Sequence, residues 1–507
     1  MSIEAELDPG GALLGVMRTT RDTRTTDPVE PRDQAFRRRE RRRQDPIALL
    51  SRQFDVAARE AVDPGQIAAS MEAAGLNDRI ARTRYHEESV FRLAEVVFDL
   101  VPRERVDLLA LDYDVWQRPF WSHVARGLLY VVPTLPYVVA ISLAPGTTAG
   151  IWLLLAVCVV STALTQAVAY LAHLLLGYGS RRGAVRVLRV SLVGSVVIGA
   201  PVAWAIGTTT SAGMVAAGIA YGVLLYVVSA TVLMVFERDS LLMAALVPGV
   251  LLSVAFLARP TSLAAEPSVV FALLSGFVVL LIAIALWVLG DEAQAPGPRW
   301  ASVAAPEWRL AGLHAAYGAT VAALMSYAVI DVISFHDSLS ATGFVGVGML
   351  PLIVSLGFAE ASVYGFRSET SGALASSFAH SDFAPQARVI LVRRRRAYTA
   401  TLVVLTLAVL VPLALWGRLE PLTVLRHVGY AELGVALLGA MMLVSCGLVA
   451  RASALLAVGL VADAVARLVG WATPIELTIA HVVVFAGLVV LVWSAALDLL
   501  TSPRRHR

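Results

Sequence analysis

Leu164–Leu192 reads LTQAVAYLAHLLLGYGSRRGAVRVLRVSL. An apolar run closes on Gly177-Tyr178-Gly179-Ser180, four arginines follow (Arg181, Arg182, Arg186 and Arg189), and a second apolar run begins. The first run reaches back to about residue 149 and the second extends to about 206. A helix of about 20 apolar residues crosses a bilayer, so each run has the length of one crossing. Arginines between two crossings mark a cytoplasmic junction. A lipid-exposed backbone must pair internally, which leaves helices or closed barrels, and these runs are too long for barrel strands.

The same unit recurs along the chain. Apolar segments fall at about 122–144, 149–176, 187–206, 212–235, 240–258, 268–289, 310–334, 342–364, 397–416, 427–449, 453–471 and 475–498. Composition agrees: the 507 residues are 57% hydrophobic and 16% charged, with mean hydropathy +0.71. Soluble domains are about 25% charged, so a soluble globule is excluded. Every basic residue is arginine, which fits either a biased genome or a demand for bidentate phosphate and carboxylate contacts; composition leaves both open. Cys158 and Cys446 both lie inside apolar segments, where they read as small hydrophobes and not as a disulfide framework. No CxxC or HExxH spacing occurs, so no metal or other cofactor is expected. The first 30 residues lack an apolar signal region, and insertion through the first internal helix is expected.

Arginine placement sets the orientation. Junctions after the even-numbered segments carry Arg181, Arg182, Arg186, Arg189, Arg238, Arg299, Arg309, Arg367, Arg388, Arg393–Arg396 and Arg451, and the tail ends RRHR. Junctions after the odd-numbered segments are poor in arginine apart from Arg259, Arg418 and Arg426. Both termini are therefore expected in the cytoplasm, with the protein in the cytoplasmic membrane. Six crossings precede a polar, Pro-containing junction at 290–309 and six follow, and in each half the second helix leads into a basic stretch. Two like-oriented halves related by an axis along the membrane normal are a known transporter plan. The expected fold class is all-α: a polytopic integral membrane protein of about 12 transmembrane helices in two six-helix halves, 119–289 and 310–500, with a cytosolic linker 290–309, a basic tail 501–507 and a small N-terminal helical cytosolic unit.

Ahead of the membrane block, 1–45 reads as disordered and basic, with FRRRERRR from Phe36 to Arg43. Such a run attracts anionic lipid, by about 1 kcal/mol per basic residue, or serves as a solvated charge run; no nucleic-acid partner is expected. Residues 46–118 read as the helical module. Asp63-Pro64 is an N-cap followed by proline, and Gly75 is a helix stop. Further helices are expected at Asn77–Tyr85 and Glu88–Leu100, the last burying Val90, Phe91, Ala94, Val97 and Phe98. His86 is expected at the surface, and Trp116 and Trp121 at headgroup level. The module reads as a docking or regulatory unit.

Leu164–Leu192, with its mid-membrane Gln166 and its short Gly and Arg turn, resembles the second-to-third helix passage of the multidrug/oligosaccharidyl-lipid/polysaccharide (MOP) exporter superfamily. More narrowly, it is similar to polysaccharide flippases of the Wzx and PelG kind. FAEASVYGFRSETSGALASSF, from Phe358, with ARVILVRRRRAYTATLVV after it, is the counterpart in the second half. The resemblance covers residues 120–500 as a pattern of helices. It implies a flippase of a lipid-linked saccharide, moving an amphipathic anion by alternating access. Gly75–Phe98 is similar to uncharacterised bacterial membrane proteins, which implies no activity.

Ionisable groups at bilayer depth face cavities or partners. They are Arg126, Gln166, His173, His314, Asp331, Glu360, Asp463, Arg467, Glu476 and His481. Arg126, Gln166, His173, Arg181, Arg182, Asp331, Glu360, Asp463 and Arg467 are the substrate-path candidates, because arginine forks suit a diphosphate and a buried carboxylate suits coupling to an ion. Asp463 and Arg467 are four apart and can pair on one helix face, either as a structural tie or in the path. Gln166 and His173 share a face and equally suit helix–helix hydrogen bonds. Glu360 is also readable as a headgroup-level carboxylate. The alternative function is a non-transporting scaffold for a cell-envelope polysaccharide machine, with 46–102 as its docking site. The loops are too short and plain for a membrane-embedded transferase, and membrane lipids are the one partner every reading requires.

Overall fold

The computed structural model describes residues 46–55, 63–101, 120–133, 148–258, 267–294, 303–334, 340–376 and 380–502, with positions 58, 61, 135, 136 and 139. The expected disordered segment 1–45, Trp116, the middle of the 290–309 linker and the end of the basic tail lie outside the described residues. The chain divides into two compact units, Met1–Tyr113 and Asp114–Arg507, and the described residues form helices and no strand.

In the first unit α1 (Pro46–Gln53), α2 (Pro64–Ala73), α3 (Asp78–Ile80, continued by a π-helical turn Ala81–Tyr85) and α4 (Val90–Leu100) surround a small core. Each helix start after α1 has its cap. Asp63 Oδ1 accepts from the Gln66 amide at 3.2 Å, Asn77 Oδ1 from Ile80 at 3.1 Å, and Ser89 Oγ from Arg92 at 3.2 Å. These bonds satisfy amides that a helix leaves unpaired at its start. Gly75, at φ +88°, turns the chain out of α2, a conformation that costs glycine nothing. The buried side of α4 is Val90, Leu93, Ala94 and Val97, an i, i+3, i+4, i+7 stripe. Phe91 was expected on it, but one residue's rotation carries it off the stripe, and it is 58% exposed. His86 is exposed, as expected.

The second unit is the membrane block. Its first half is α5 (Phe120–Val131), α6 (Thr148–Gly177), α7 (Arg181–Thr209), α8 (Gly213–Val235), α9 (Asp239–Ala258) and α10 (Pro267–Glu292). Its second half is α11 (Ala305–Met325) with α12 (Tyr327–Ser334), α13 (Ser340–Ser376), α14 (His380–Leu415), α15 (Pro421–Ser445), α16 (Val449–Leu468) and α17 (Pro474–Leu499). Among the described residues, 10 of these helices are long and apolar enough to span a membrane. The others are α5, whose described part is short, and the α11–α12 pair, which is one crossing broken at Ser326 instead of the single expected helix 310–334. Two expected boundaries are corrected. The span expected to end at 364 runs on as α13 to Ser376, and the one expected to start at 397 starts as α14 at His380 and carries Arg393–Arg396 in its own body. Burial of Phe366, Phe383 and Leu391 explains the extension, because an apolar stripe continues beneath the charges.

The packing repeats six helices apart. In the first half α5 packs on α9, α6 on α7 and α8, α7 on α8, α8 on α9 and α10, and α9 on α10. In the second, α11 packs on α16, α13 on α14 and α15, α14 on α15, α15 on α16 and α17, and α16 on α17. The halves join through α5 on α13 and α6 on α11. Shifting by six crossings turns the first of these contacts into the second, which is what a two-fold axis between like-oriented halves requires. Each half keeps its own apolar core.

Candidate functional site: the seam between the halves and its ion clusters

Glycines let the two joining pairs approach. A Cβ on Gly127 of α5 would lie 3.3 Å from Gly357 Cα of α13, and one on Gly357 would lie 2.7 Å from Gly127 Cα. On the other pair, a Cβ on Gly318 of α11 would lie 2.7 Å from Gln166 Cγ and 2.9 Å from the Thr162 carbonyl oxygen of α6. Helices in lipid associate through such small residues, because lipid supplies no hydrophobic drive between them.

Polar and aromatic contacts continue from these glycines toward the arginine-rich ends of the helices. Arg126 Nη1 donates to Glu360 Oε1 of α13 at 2.6 Å, and Arg126 Nε donates to Asp239 Oδ2, at the start of α9, at 2.8 Å. The His123 ring stands 5.4 Å from that of Tyr364. Across the other pair, Tyr170 stacks on His314 at 4.5 Å and the Tyr178 hydroxyl reaches Glu307 Oε1 at 3.5 Å. One guanidinium thus ties the two halves and two helices of the first half together. Glu360 is half-buried, twenty residues into α13 and sixteen from its end.

A second cluster lies inside the second half, toward the arginine-poor face. Arg467 on α16 pairs with Asp331 of α12 through Nη1, with Asp463 at 3.2 Å through Nε, and with the Tyr327 carbonyl at 3.1 Å through Nη2. His481 of α17 places Nε2 3.1 Å from Asp331 Oδ1 and Nδ1 2.5 Å from Asp463 Oδ1. Asp331, Asp463 and His481 are all buried. Two carboxylates held between a guanidinium and an imidazole are charge-compensated, and together they fasten α12, α16 and α17. The Asp463–Arg467 pair expected from sequence is therefore part of a larger tie.

The substrate-path candidates Arg181 and Arg182 meet the end of α10. Arg181 pairs with Glu292, and Arg182 Nε donates to the Ala293 carbonyl at 3.3 Å. Arg189 donates to the Leu289 carbonyl at 3.1 Å, and Arg238 reaches Asp291 at 3.2 Å and Glu292 at 3.1 Å. These arginines cap the carbonyl end of α10, where a helix leaves acceptors unpaired and carries partial negative charge. Gln166 and His173 are exposed on α6, and Gln166 lies on the α11 seam. Glu476 closes a capping box with Thr473 at the start of α17. Asp239, Asp291 and Glu292 were absent from the sequence-derived candidates, being read as helix ends and linker. Among the described residues no His, Cys, Asp and Glu group suits a metal ion.

No protein-family model and no curated protein matches the sequence. The structure does have relatives. A crystal structure of MATE in complex with Br-NRF superposes with TM-score 0.51 at 14% identity, over 74% of this chain and 92% of that one. The outward-facing conformation of a multidrug resistance MATE family transporter of the MOP superfamily gives 0.50 at 12% identity, over 74% and 92%. The membrane block has the helical fold of these two structures.

Proposed function

We infer that the protein is an alternating-access membrane transporter, with an amphipathic lipid-linked saccharide as its cargo class. The carrying observation is the seam: two halves with separate cores, joined by two symmetry-exchanged helix pairs whose contacts run from mid-helix to the arginine-rich end. Such a seam is able to part while each half stays rigid, the hinge and rigid-body behaviour of repeat transporters. With the arginine-rich face in the cytoplasm, as the positive-inside pattern supports, the described state is closed to the cytoplasm. Arg126, Glu360 and Asp239 then act as the latch. The saccharide–lipid cargo rests on the flippase resemblance of Leu164–Leu192. Residues 46–102 are the proposed docking unit for partners of the same machinery.

The test uses proteoliposomes with a fluorescent diphosphate-linked lipid saccharide and a membrane-impermeant quencher. Tyr178→Cys with Glu307→Cys, in a protein cleared of Cys158 and Cys446, is bridged across the seam by a reducible bis-methanethiosulfonate reagent, since direct disulfide formation needs closer Cβ atoms than two long side chains in tip contact provide. Movement of the lipid is expected in the reduced protein and not in the crosslinked one. No movement above empty liposomes rejects the cargo class. Equal movement with the seam crosslinked rejects alternating access.

A further inference from the structure

The first half contains an apolar groove between α8 and α10, closed at its back by Pro133 and Pro136, with a volume of about 410 Å³. That is within the range of about 300–1,000 Å³ for sites that enclose a small molecule. Its floor is made by missing side chains. Gly218 and Gly222, one helical turn apart on α8, both line it; a Cβ on Gly218 would meet nothing within 4 Å, and one on Gly222 only Val278 Cγ2 at 4.0 Å. These glycines face open space, unlike Gly127, Gly318 and Gly357, which face a helix. The Tyr221 hydroxyl is turned away to the Val196 carbonyl at 2.9 Å, and apart from Ser275 and Tyr226 the lining side chains are apolar.

The groove reaches the surface of the block, since Met214 and Val279 on its walls are 51% and 63% exposed. It follows α8 from Met214, in the first turn at the arginine-poor face, to Tyr226 at mid-helix. Twelve residues of helix measure about 18 Å, close to half of the roughly 30 Å hydrocarbon core. An apolar slot of one leaflet's depth that reaches the surface of the block matches a chain whose headgroup stays at the interface. We propose that this groove is a binding site for a single lipid hydrocarbon chain, acyl or prenyl, entering from the leaflet at the arginine-poor face. The proposal requires only the membrane-spanning architecture and stands apart from the transport reading.

The experiment uses the full chain in liposomes containing a phospholipid with a diazirine near the end of one acyl chain, with labelled residues located by mass spectrometry. Labelling of Tyr226 and Phe277 is expected to saturate as the probe fraction rises, while labelling of Val197 and Trp204 on the exposed face of α7 rises in proportion. Gly218→Leu fills the groove where its Cβ has room. It is expected to lower the saturable label about tenfold, as loss of about 1.4 kcal/mol of chain binding would, with the α7 label and the unfolding temperature unchanged. Gly222→Leu should do the same and replaces it if that variant does not fold. Groove labelling that never saturates, or that both folded variants leave unchanged, overturns the proposal.

Discussion

Arg126 and Arg467 show how differently two membrane arginines are used. Each faces two carboxylates, but Arg467 has His481 beside it and works within one half, whereas Arg126 works across the seam. Removing a partner from a buried ion pair costs roughly 3–5 kcal/mol, because the abandoned charge stays buried. Arg467→Leu should therefore destabilise the folded protein by about that amount, read as a lowered unfolding temperature in detergent, and Asp331→Asn should cost less because one oxygen still accepts. Arg126→Ala should weaken the first half through the lost Asp239 tie, read as a lowered unfolding temperature, and in addition open the seam at Glu360, read as increased alkylation of a cysteine placed at Tyr364. Unchanged labelling there would count against the latch. Sequence flagged both arginines for their depth, and the i, i+4 spacing gave Asp463. It could not give Asp239, Glu292 or the His481 contacts, because these partners lie 18 to 150 residues away and no local periodicity links them.

At the scale of the helix, the apolar runs were readable because lipid imposes one rule on every crossing: bury the backbone in a helix of sufficient length. The expected spans fall on α6 to α10 and α15 to α17 within a few residues. Sequence was misleading where charge and helix coincide. Arg393 and Arg394 read as part of a junction but grip Glu369 of α13, at 2.5 and 2.7 Å, from inside α14. The seam glycines also lie beyond a sequence reading, since glycines are common in membrane helices of every kind. Their contacts make a symmetric prediction. Gly357→Val and Gly318→Leu sit on exchanged helix pairs and should weaken the closed seam alike, lowering the yield of the Tyr178→Cys/Glu307→Cys crosslink by severalfold. Gly312→Ala, also on α11, has open space around its Cβ and should leave that yield unchanged. A yield insensitive to both seam variants would show that the glycines do not govern the approach.

For the whole molecule, the proposed transport reading takes the two halves, each with its own core, as the moving parts, and the seam as the element with two arrangements. A two-state seam exposes one face as it covers the other. Losing the Arg126–Glu360 pair removes a contact across the seam, so it shifts the populations toward the parted arrangement. The most direct measurement is pulsed electron–electron distance spectroscopy on two spin-label pairs, each with one label in either half. Tyr178 with Trp308 reports the arginine-rich face, and Met214 with Leu419 the arginine-poor face; all four residues are exposed. Arg126→Ala should lengthen the Tyr178–Trp308 distance and shorten the Met214–Leu419 distance together. Two distances that stay fixed in the folded variant, or that lengthen in step, would contradict a rocking pair of halves.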